Sequence, residues 1–249
     1  MPSDSDLDNE HSRVSLDILC EDGPILAVNK PAGLLTLGAV AGVPTLERQV
    51  KQFLKEKYGK PGNVYLGIPH RLDRPVSGVI VFARNSKAAA RLAEQFRERQ
   101  VQKVYWALVE RAPDAAEGEL IDWLLKTPDQ AHVEVVSADA AGAREARLRY
   151  RTLETDVAGR QENRTLLEIE PLTGRTHQIR VQLAARGWPI VGDAQYGATT
   201  SIVAARAADA RDEPIALHAR SLTIKHPVRY DSLTITAPLP EFWGGVGFV

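Results

Sequence analysis

The chain has 249 residues, 44 % of them apolar and 25 % charged, with a net charge of −1, the mix of a globular protein able to bury its own core. No run approaches the ~20 apolar residues that span a bilayer, and the acidic start from Met1 to Glu10 lacks the basic-then-apolar order of a secretory signal. Cys20 is the only cysteine, which excludes an internal disulfide and any cysteine-rich zinc site, so the chain reads as a soluble, cytoplasmic protein.

Residues 1–15 are polar, acidic and without periodicity, and are predicted to form a disordered tail. Ile25–Asn29 is a short apolar run closed by Lys30-Pro31-Ala32-Gly33, a buried strand ending in a turn. Pro44–Tyr58 carries Leu46, Val50, Phe53 and Leu54 at helical spacing, with Gly59 as a stop. Val79–Ala83 reads as a strand. Ser86 is then expected to cap a helix with Ala89, Leu92, Ala93 and Phe96 on its inner face. Val104–Val109, Val133–Val136, Leu148–Leu153 and Thr165–Glu170 read as further strands. Thr176–Arg186 reads as a helix stopped by Gly187. The Ala-rich stretch 198–213 looks like an excursion, and Leu222–Lys225 and Leu233–Thr236 are the last strands. Strands and helices mix without strict alternation, so the expected class is α+β with a largely antiparallel sheet.

Charge is unevenly spread along this order. Residues 1–22 hold seven acidic side chains against Arg13 alone, which leaves 30 basic and 25 acidic side chains in the remainder. Arg84, Lys87, Arg91, Arg97, Arg99, Lys103 and Arg111 face only Glu94, Glu98 and Glu110 between them. That run is either a solvated helix face or a surface for a polyanion.

Two segments are dense in chemistry. Gly67 to Gly78 places two glycines, two prolines and three charges between a short apolar stretch and a strand, where the chain must turn tightly. Within it Asp73, flanked by Arg71 and Arg74, reads either as a surface turn residue or as a carboxylate kept ionised in a cleft by cationic neighbours. Pro171 to Arg180 follows a strand and opens a helix, whose free N–H groups and dipole favour anions, and Arg175 and Arg180 add charge. Two surface arginines on a capped helix are the alternative. His132, His177, His218 and His226 lack metal-ligand spacing, so no metal is expected. His70 reads as support for the turn, and the tryptophans as packing.

These segments, in order, resemble the RluA family of pseudouridine synthases, which isomerise uridine in structured RNA. Ile25 to Gly33 is similar to the family's first motif, and His70-Arg71-Leu72-Asp73 with Ser77-Gly78 to its catalytic motif. Lys103 to Val109 falls at its tyrosine strand. Thr173 to Arg180, with Gly192-Asp193 and Tyr196-Gly197, is similar to its third motif, and Leu217-His218-Ala219 with His226-Pro227 to its C-terminal signature. The match runs from about Asp17 to Leu239.

The resemblance implies the family's fold, a mixed, mostly antiparallel central sheet with flanking helices and an RNA-binding cleft. It implies Asp73 as catalytic carboxylate, Arg180 as its salt-bridge partner and Tyr105 as the ring lying against the target uracil. Arg71 is expected to reach into RNA near the flipped nucleotide, with Arg74, Arg84, Lys87, Arg91, Arg97 and Arg175 as further RNA contacts. Ribosomal or transfer RNA is the expected partner, acted on by a monomer without cofactor, metal or membrane.

An arginine within ~4–6 Å favours the charged form of a carboxylate, the task expected of Arg180. Extruding the uridine from its stack costs a few kcal/mol, which phosphate contacts offset. Val76 stands where the family more often has threonine, and Gln182 where it has histidine. Residues 16–249 are read as one catalytic domain, with no room before Ile25 for the S4-type RNA-binding domain of many relatives. The alternatives are a non-catalytic RNA-binding protein on the same fold, and a glycosidase. The second requires another carboxylate comparable to Asp73, and none stands out in the motifs.

Overall fold

The computed structural model describes residues 16–38, 42–127, 132–155, 164–203 and 213–246. The acidic tail assigned to residues 1–15, and most of the 198–213 stretch, lie outside the described residues.

Two apolar strands, β2 (Ile25–Lys30) and β3 (Ser77–Ala83), pair antiparallel and are buried on both faces. Because strand side chains alternate, one set faces each way. Leu26, Val28, Ile80 and Phe82 pack under α1 (Leu46–Lys57), which contributes Leu46, Val50 and Leu54. Ile25, Ala27, Val79, Val81 and Ala83 face the main core and α2 (Ser86–Arg97), which contributes Ala88 and Leu92. On the outer side β1 (Ile18–Asp22) pairs with β2.

The sheet continues through β9 (Leu217–Lys225) to β4 (Gln102–Val109), β8 (Thr165–Pro171), β7 (Arg144–Thr155), β5 (Glu117–Lys126) and β6 (Val133–Val136), with β10 (Ser232–Thr236) paired to β9. Among the named strands only β3 and β9 run parallel, joined at Ser77↔His218 and Gly78↔Ala219. Gly78 has φ +117, and a Cβ there would lie 2.3 Å from the Ala219 carbonyl oxygen. Only glycine fits this crossing of the two half-sheets. The short helix α3 (Gln178–Ala184) packs against the β5–β6 side. The α+β, mostly antiparallel expectation therefore describes the molecule.

Four details differ from the sequence reading. β1 and β5 were not expected, because charges interrupt both apolar patterns. Those charges are matched: Glu21 pairs with Lys57 at 2.6 Å and Arg84 at 2.7 Å, Asp22 with Arg229 at 2.8 Å, and buried Asp122 of β5 with Arg186 at 2.7 Å. The cap of α2 is Asn85, whose side chain accepts from the Ala88 N–H at 2.8 Å, with Ser86 the first helical residue. Its inner face turns in Gln95 rather than Ala93, and the Gln95 amide both donates to and accepts from the Lys225 backbone at 2.8 Å. Finally, α3 begins at Gln178 rather than Thr176, because His177 takes a left-handed conformation with φ +51.

Candidate active site

The turn from His70 to Val76 is held in place by the loop that follows β2. Thr36 Oγ1 donates to the Leu72 carbonyl at 2.9 Å and accepts from its N–H at 3.2 Å. Gly33 N–H donates to the Arg74 carbonyl at 2.8 Å, and Arg74 Nε returns to the Gly33 carbonyl at 3.2 Å. The fully buried Lys30 ammonium donates to the carbonyls of Pro31, Leu34 and Arg74 at 2.8, 2.7 and 3.1 Å. Burial pulls its pKa down to about 7, against the pull of Asp73. Three acceptors match the three N–H bonds of an ammonium. We expect Lys30→Met to lose roughly 1–3 kcal/mol, since it strands these carbonyls; an unchanged urea midpoint contradicts this.

The turn delivers Asp73 to the wall of a cavity of about 490 Å³, a size suited to a small-molecule-sized group. Tyr105 lines the same cavity from β4, where the ladder to β9 slips between Val104 and Tyr105. Such a bulge re-aims a side chain. Burial, and after it the Asp73 charge, push the Tyr105 hydroxyl well above the usual phenol range, so the ring stays protonated.

Arg180 and Asp73 are brought together, with Arg180 Nη1 3.9 Å from Asp73 Oδ2. The hydrogen-bonded partner of Arg180 is a different carboxylate, however. Its Nε and Nη2 grip Asp193 Oδ2 and Oδ1 at 2.6 and 2.8 Å, and Nη2 also donates to Gln195 Oε1 at 3.0 Å. Both members of this pair are buried. Asp193 is not the second acid that a glycosidase needs. It is occupied by a bidentate arginine and is not among the residues that line the cavity.

On the other side of Asp73 lies His177, with Nε2 3.9 Å from the same Oδ2 and Nδ1 2.8 Å from the Tyr196 hydroxyl. Without metal-ligand spacing His177 carries no role in the sequence, and Asp193 and Tyr196 stand there only as parts of a motif. The signal present was a polar pair in a Gly-Asp turn after the apolar run Pro189–Val191, which by itself does not reveal a partner across the fold.

Among the described residues that line the cavity, Asp73 is the one carboxylate, against Arg71, Arg97, Arg99, Lys103, Arg175 and Arg180. Arg71 is exposed, and Arg175 is anchored by its Nε to the Glu145 carbonyl at 2.9 Å. Arg74, Arg84, Lys87 and Arg91, expected as RNA contacts, do not line it. Arg74 turns in to Gly33. Arg84 pairs with Glu21, donates to the Tyr58 hydroxyl at 2.7 Å and lies over the Tyr58 ring. Arg91 donates to the Pro227 carbonyl and lies over Tyr230.

The reason is geometric. β3 carries the chain roughly 20 Å away from Asp73, and α2 returns over about 18 Å, so its last turn, not its first, meets the cavity. Arg99, left-handed at φ +56 just past the helix, and Lys103 at the start of β4 line the cavity instead. Gln182 lies outside the cavity too, donating to Asp122 at 2.7 Å and tying α3 to β5.

Two nearby histidines are neutral. Val81 N–H donates to His70 Nε2 at 3.0 Å, which only an unprotonated nitrogen accepts, and the ring stacks on Phe96 with centroids 4.6 Å apart. Burial, then the Lys103 charge, push its pKa down to about 3. Burial pushes His218 down to about 4, outweighing its contact with the Ala237 carbonyl. In the unfolded chain each ring takes its proton near pH 6.5. Below that pH the unfolded state binds more protons, so stability falls from pH 6.5 toward 4 by up to about 1.4 kcal/mol per unit for each group. We expect His70→Leu to flatten this acid limb in urea titrations; parallel curves contradict the neutral assignment.

Among the described residues no helix is long and apolar enough to cross a membrane, and no group of three metal-ligating side chains occurs. The model of the family described as RNA pseudouridylate synthase matches residues 24–185. The tRNA pseudouridine synthase C of Haemophilus influenzae is 35 % identical, covering 92 % of this chain and 95 % of that one. The ribosomal large subunit pseudouridine synthase D of Xylella fastidiosa is 37 % identical, covering 92 % of this chain and 67 % of that one. Among solved structures, human RNA pseudouridylate synthase domain containing 4 superposes with a TM-score of 0.71 at 26 % identity, covering 92 % of this chain and 90 % of that one.

Proposed function

Since the chain belongs to the RNA pseudouridylate synthase family, in its RluA group, and is an RNA pseudouridine synthase, an isomerase, we propose that it converts uridines of ribosomal or transfer RNA at the Asp73 cavity. Residues 16–249 form the catalytic domain in this reading. The observation that carries it is the position of Asp73, the one carboxylate among the described lining residues of a cavity otherwise ringed by cations.

The reaction breaks the N1–C1′ bond, turns the base, and forms C5–C1′; C5 releases a proton and N1 gains one. A free uracil must not escape, so a walled cavity is required, and an anion beside the sugar or base supports the separated state. Asp73 supplies that anion. Tyr105 supplies a flat apolar face for the extruded base. Arg71, Arg99, Lys103 and Arg175 take the phosphates on either side, contributing binding energy that offsets unstacking. Lys103 supports this role: burial, then the neighbouring Arg99, hold its pKa below the usual lysine value, a tension that a bound phosphate relieves.

Two expected outcomes follow from these assignments. Tyr105→Phe keeps the stacking face and is expected to slow turnover far less than Tyr105→Ala, by roughly tenfold or less against a hundredfold or more. Equal losses contradict the stacking role. Arg99→Gln and Lys103→Gln should each weaken RNA binding and lower the slope of log affinity against log salt by about one. Unchanged slopes place the phosphates elsewhere. Sequencing-based mapping of pseudouridine across total RNA, in cells with and without the chain, tests the substrate class. Loss of specific ribosomal or transfer RNA sites supports the proposal, and an unchanged map overturns it.

A further inference from the structure

His177 occupies a backbone conformation that side chains other than glycine rarely adopt, with φ +51, and it provides no side-chain cap to α3. That unfavourable conformation sets the imidazole between Asp73 and Tyr196. Tyr196 is held from several directions. The Arg180 guanidinium lies 4.9 Å from its ring centre, His132 stacks on it at 5.7 Å, and the Val133 N–H donates to its hydroxyl oxygen at 3.1 Å. In the plane of its ring a phenol presents one good acceptor direction and one O–H. Val133 takes the acceptor direction, so the hydroxyl proton points to His177 Nδ1, 2.8 Å away.

A neutral imidazole that accepts at Nδ1 carries its proton at Nε2. Asp73 and Asp193 favour a charged ring, while burial, Arg180 and His132 oppose it, and burial dominates. The Nε2 so protonated lies 3.9 Å from Asp73 Oδ2, the same oxygen that Arg180 Nη1 reaches at 3.9 Å. Arg180 has already directed Nε and Nη2 to Asp193 and Gln195. The one remaining nitrogen, Nη1, approaches Oδ2 from a single direction and does not fix the rotation of the carboxylate, whereas donors converging on one oxygen from two sides do.

We propose that His177 is a positioning residue for Asp73. The Tyr196 hydroxyl sets its tautomer, so that an Nε2–H and the Arg180 guanidinium together hold Oδ2 and leave Oδ1 for the nucleoside. The proposal rests on the reading of Asp73 as the reacting carboxylate. Both separations are 3.9 Å, and catalytic contacts of this length tighten in the complex with substrate.

The tautomer is read directly by long-range proton–nitrogen NMR on protein labelled at histidine, with His177→Gln identifying the His177 signals by their loss. The expected result is the Nε2–H form in the parent and a mixture of tautomers in Tyr196→Phe. An Nδ1–H form in the parent, or no change in Tyr196→Phe, overturns the proposal. Single-turnover isomerisation supplies the second readout. His177→Ala is expected to be roughly a hundredfold slower, with RNA affinity within about twofold of the parent.

His177→Gln, whose amide N–H reaches the Nε2 position, should regain about tenfold of that loss. Tyr196→Phe should slow the parent by about tenfold yet leave the His177→Gln protein unchanged, because an amide has no tautomer to set. An equal penalty in both backgrounds overturns the relay. The tautomer measurement needs no turnover, so an inactive parent protein counts against the pseudouridine reading and not against this hydrogen-bond chain.

Discussion

Asp73→Asn is expected to abolish isomerisation while leaving the fold and most RNA affinity intact. The asparagine keeps the shape of the side chain and removes only its charge. The backbone of the turn is held by the Thr36 hydroxyl, the Lys30 ammonium and the Gly33 N–H, and by the Val76 N–H donating to the Asp73 carbonyl at 3.1 Å. None of these uses the Asp73 carboxylate. The side chain is 27 % exposed, so stability should move by no more than about 0.5 kcal/mol. RNA affinity should hold or rise slightly, because one negative charge is withdrawn from a ring of cations facing phosphates. Turnover should fall by on the order of 10⁴ or more, the loss typical of removing a reacting group. Single-turnover assays of pseudouridine formation check this, and a mutant within tenfold of the parent contradicts the assignment.

Arg180→Ala is expected to fail twice. Activity falls because the cation beside Asp73 is gone. Stability falls because Asp193, 1 % exposed, loses both donors of its bidentate partner. Stranding one member of a buried ion pair costs about 3–5 kcal/mol, which in a chain of this size lowers the melting temperature by roughly 10 °C. Arg180→Lys keeps the charge but not the fork, and should recover only part of either loss. The double variant Arg180→Met with Asp193→Leu replaces the pair by apolar groups. It should regain much of the stability, since such replacements are often neutral, and remain inactive. Calorimetry separates the two losses. A thermally unchanged Arg180→Ala protein contradicts the role of the Arg180–Asp193 pair in the fold.

The stability loss expected of Arg180→Ala could not be reached from sequence alone. The spacing of Thr173 to Arg180 marks a charged helix start, but the fork that Arg180 makes closes on a residue thirteen positions later, across a turn with no periodicity. Asp122 and Arg186 are hidden in the same way: a charge inside a strand argues against the strand until its partner is known. The continuous apolar runs of β2 and β3, by contrast, are local signals that the structure keeps as buried strands, and the helical spacing of α1 is kept as well.

The cavity was legible in part. Asp73, Tyr105 and Arg180 lie in three segments that the chain order marks, and the fold brings all three to one cavity. Density of charge along the sequence says nothing of direction, so it does not tell which cations face the cavity. A strand of seven residues followed by a helix of twelve carries Arg84, Lys87 and Arg91 away from Asp73 and returns Arg97 and Arg99 to it. Counting rise per residue along those lengths brings Arg97 and Arg99, rather than Arg84, to the cavity. His177 offered no such arithmetic, since its place depends on one left-handed residue.

Release of label from C5 tests the central claim most directly. Forming the C5–C1′ bond obliges C5 to give up its hydrogen, so RNA transcribed with tritium at uridine C5 should release tritium to solvent in the presence of this protein. Folded ribosomal and transfer RNAs are assayed separately, with Asp73→Asn as control and without added metal or nucleotide. The account predicts release that levels off at a small whole number of sites per RNA for the parent and none for the control. Tight RNA binding by the parent, with no more release than the control, contradicts it and identifies a binding protein built on this fold.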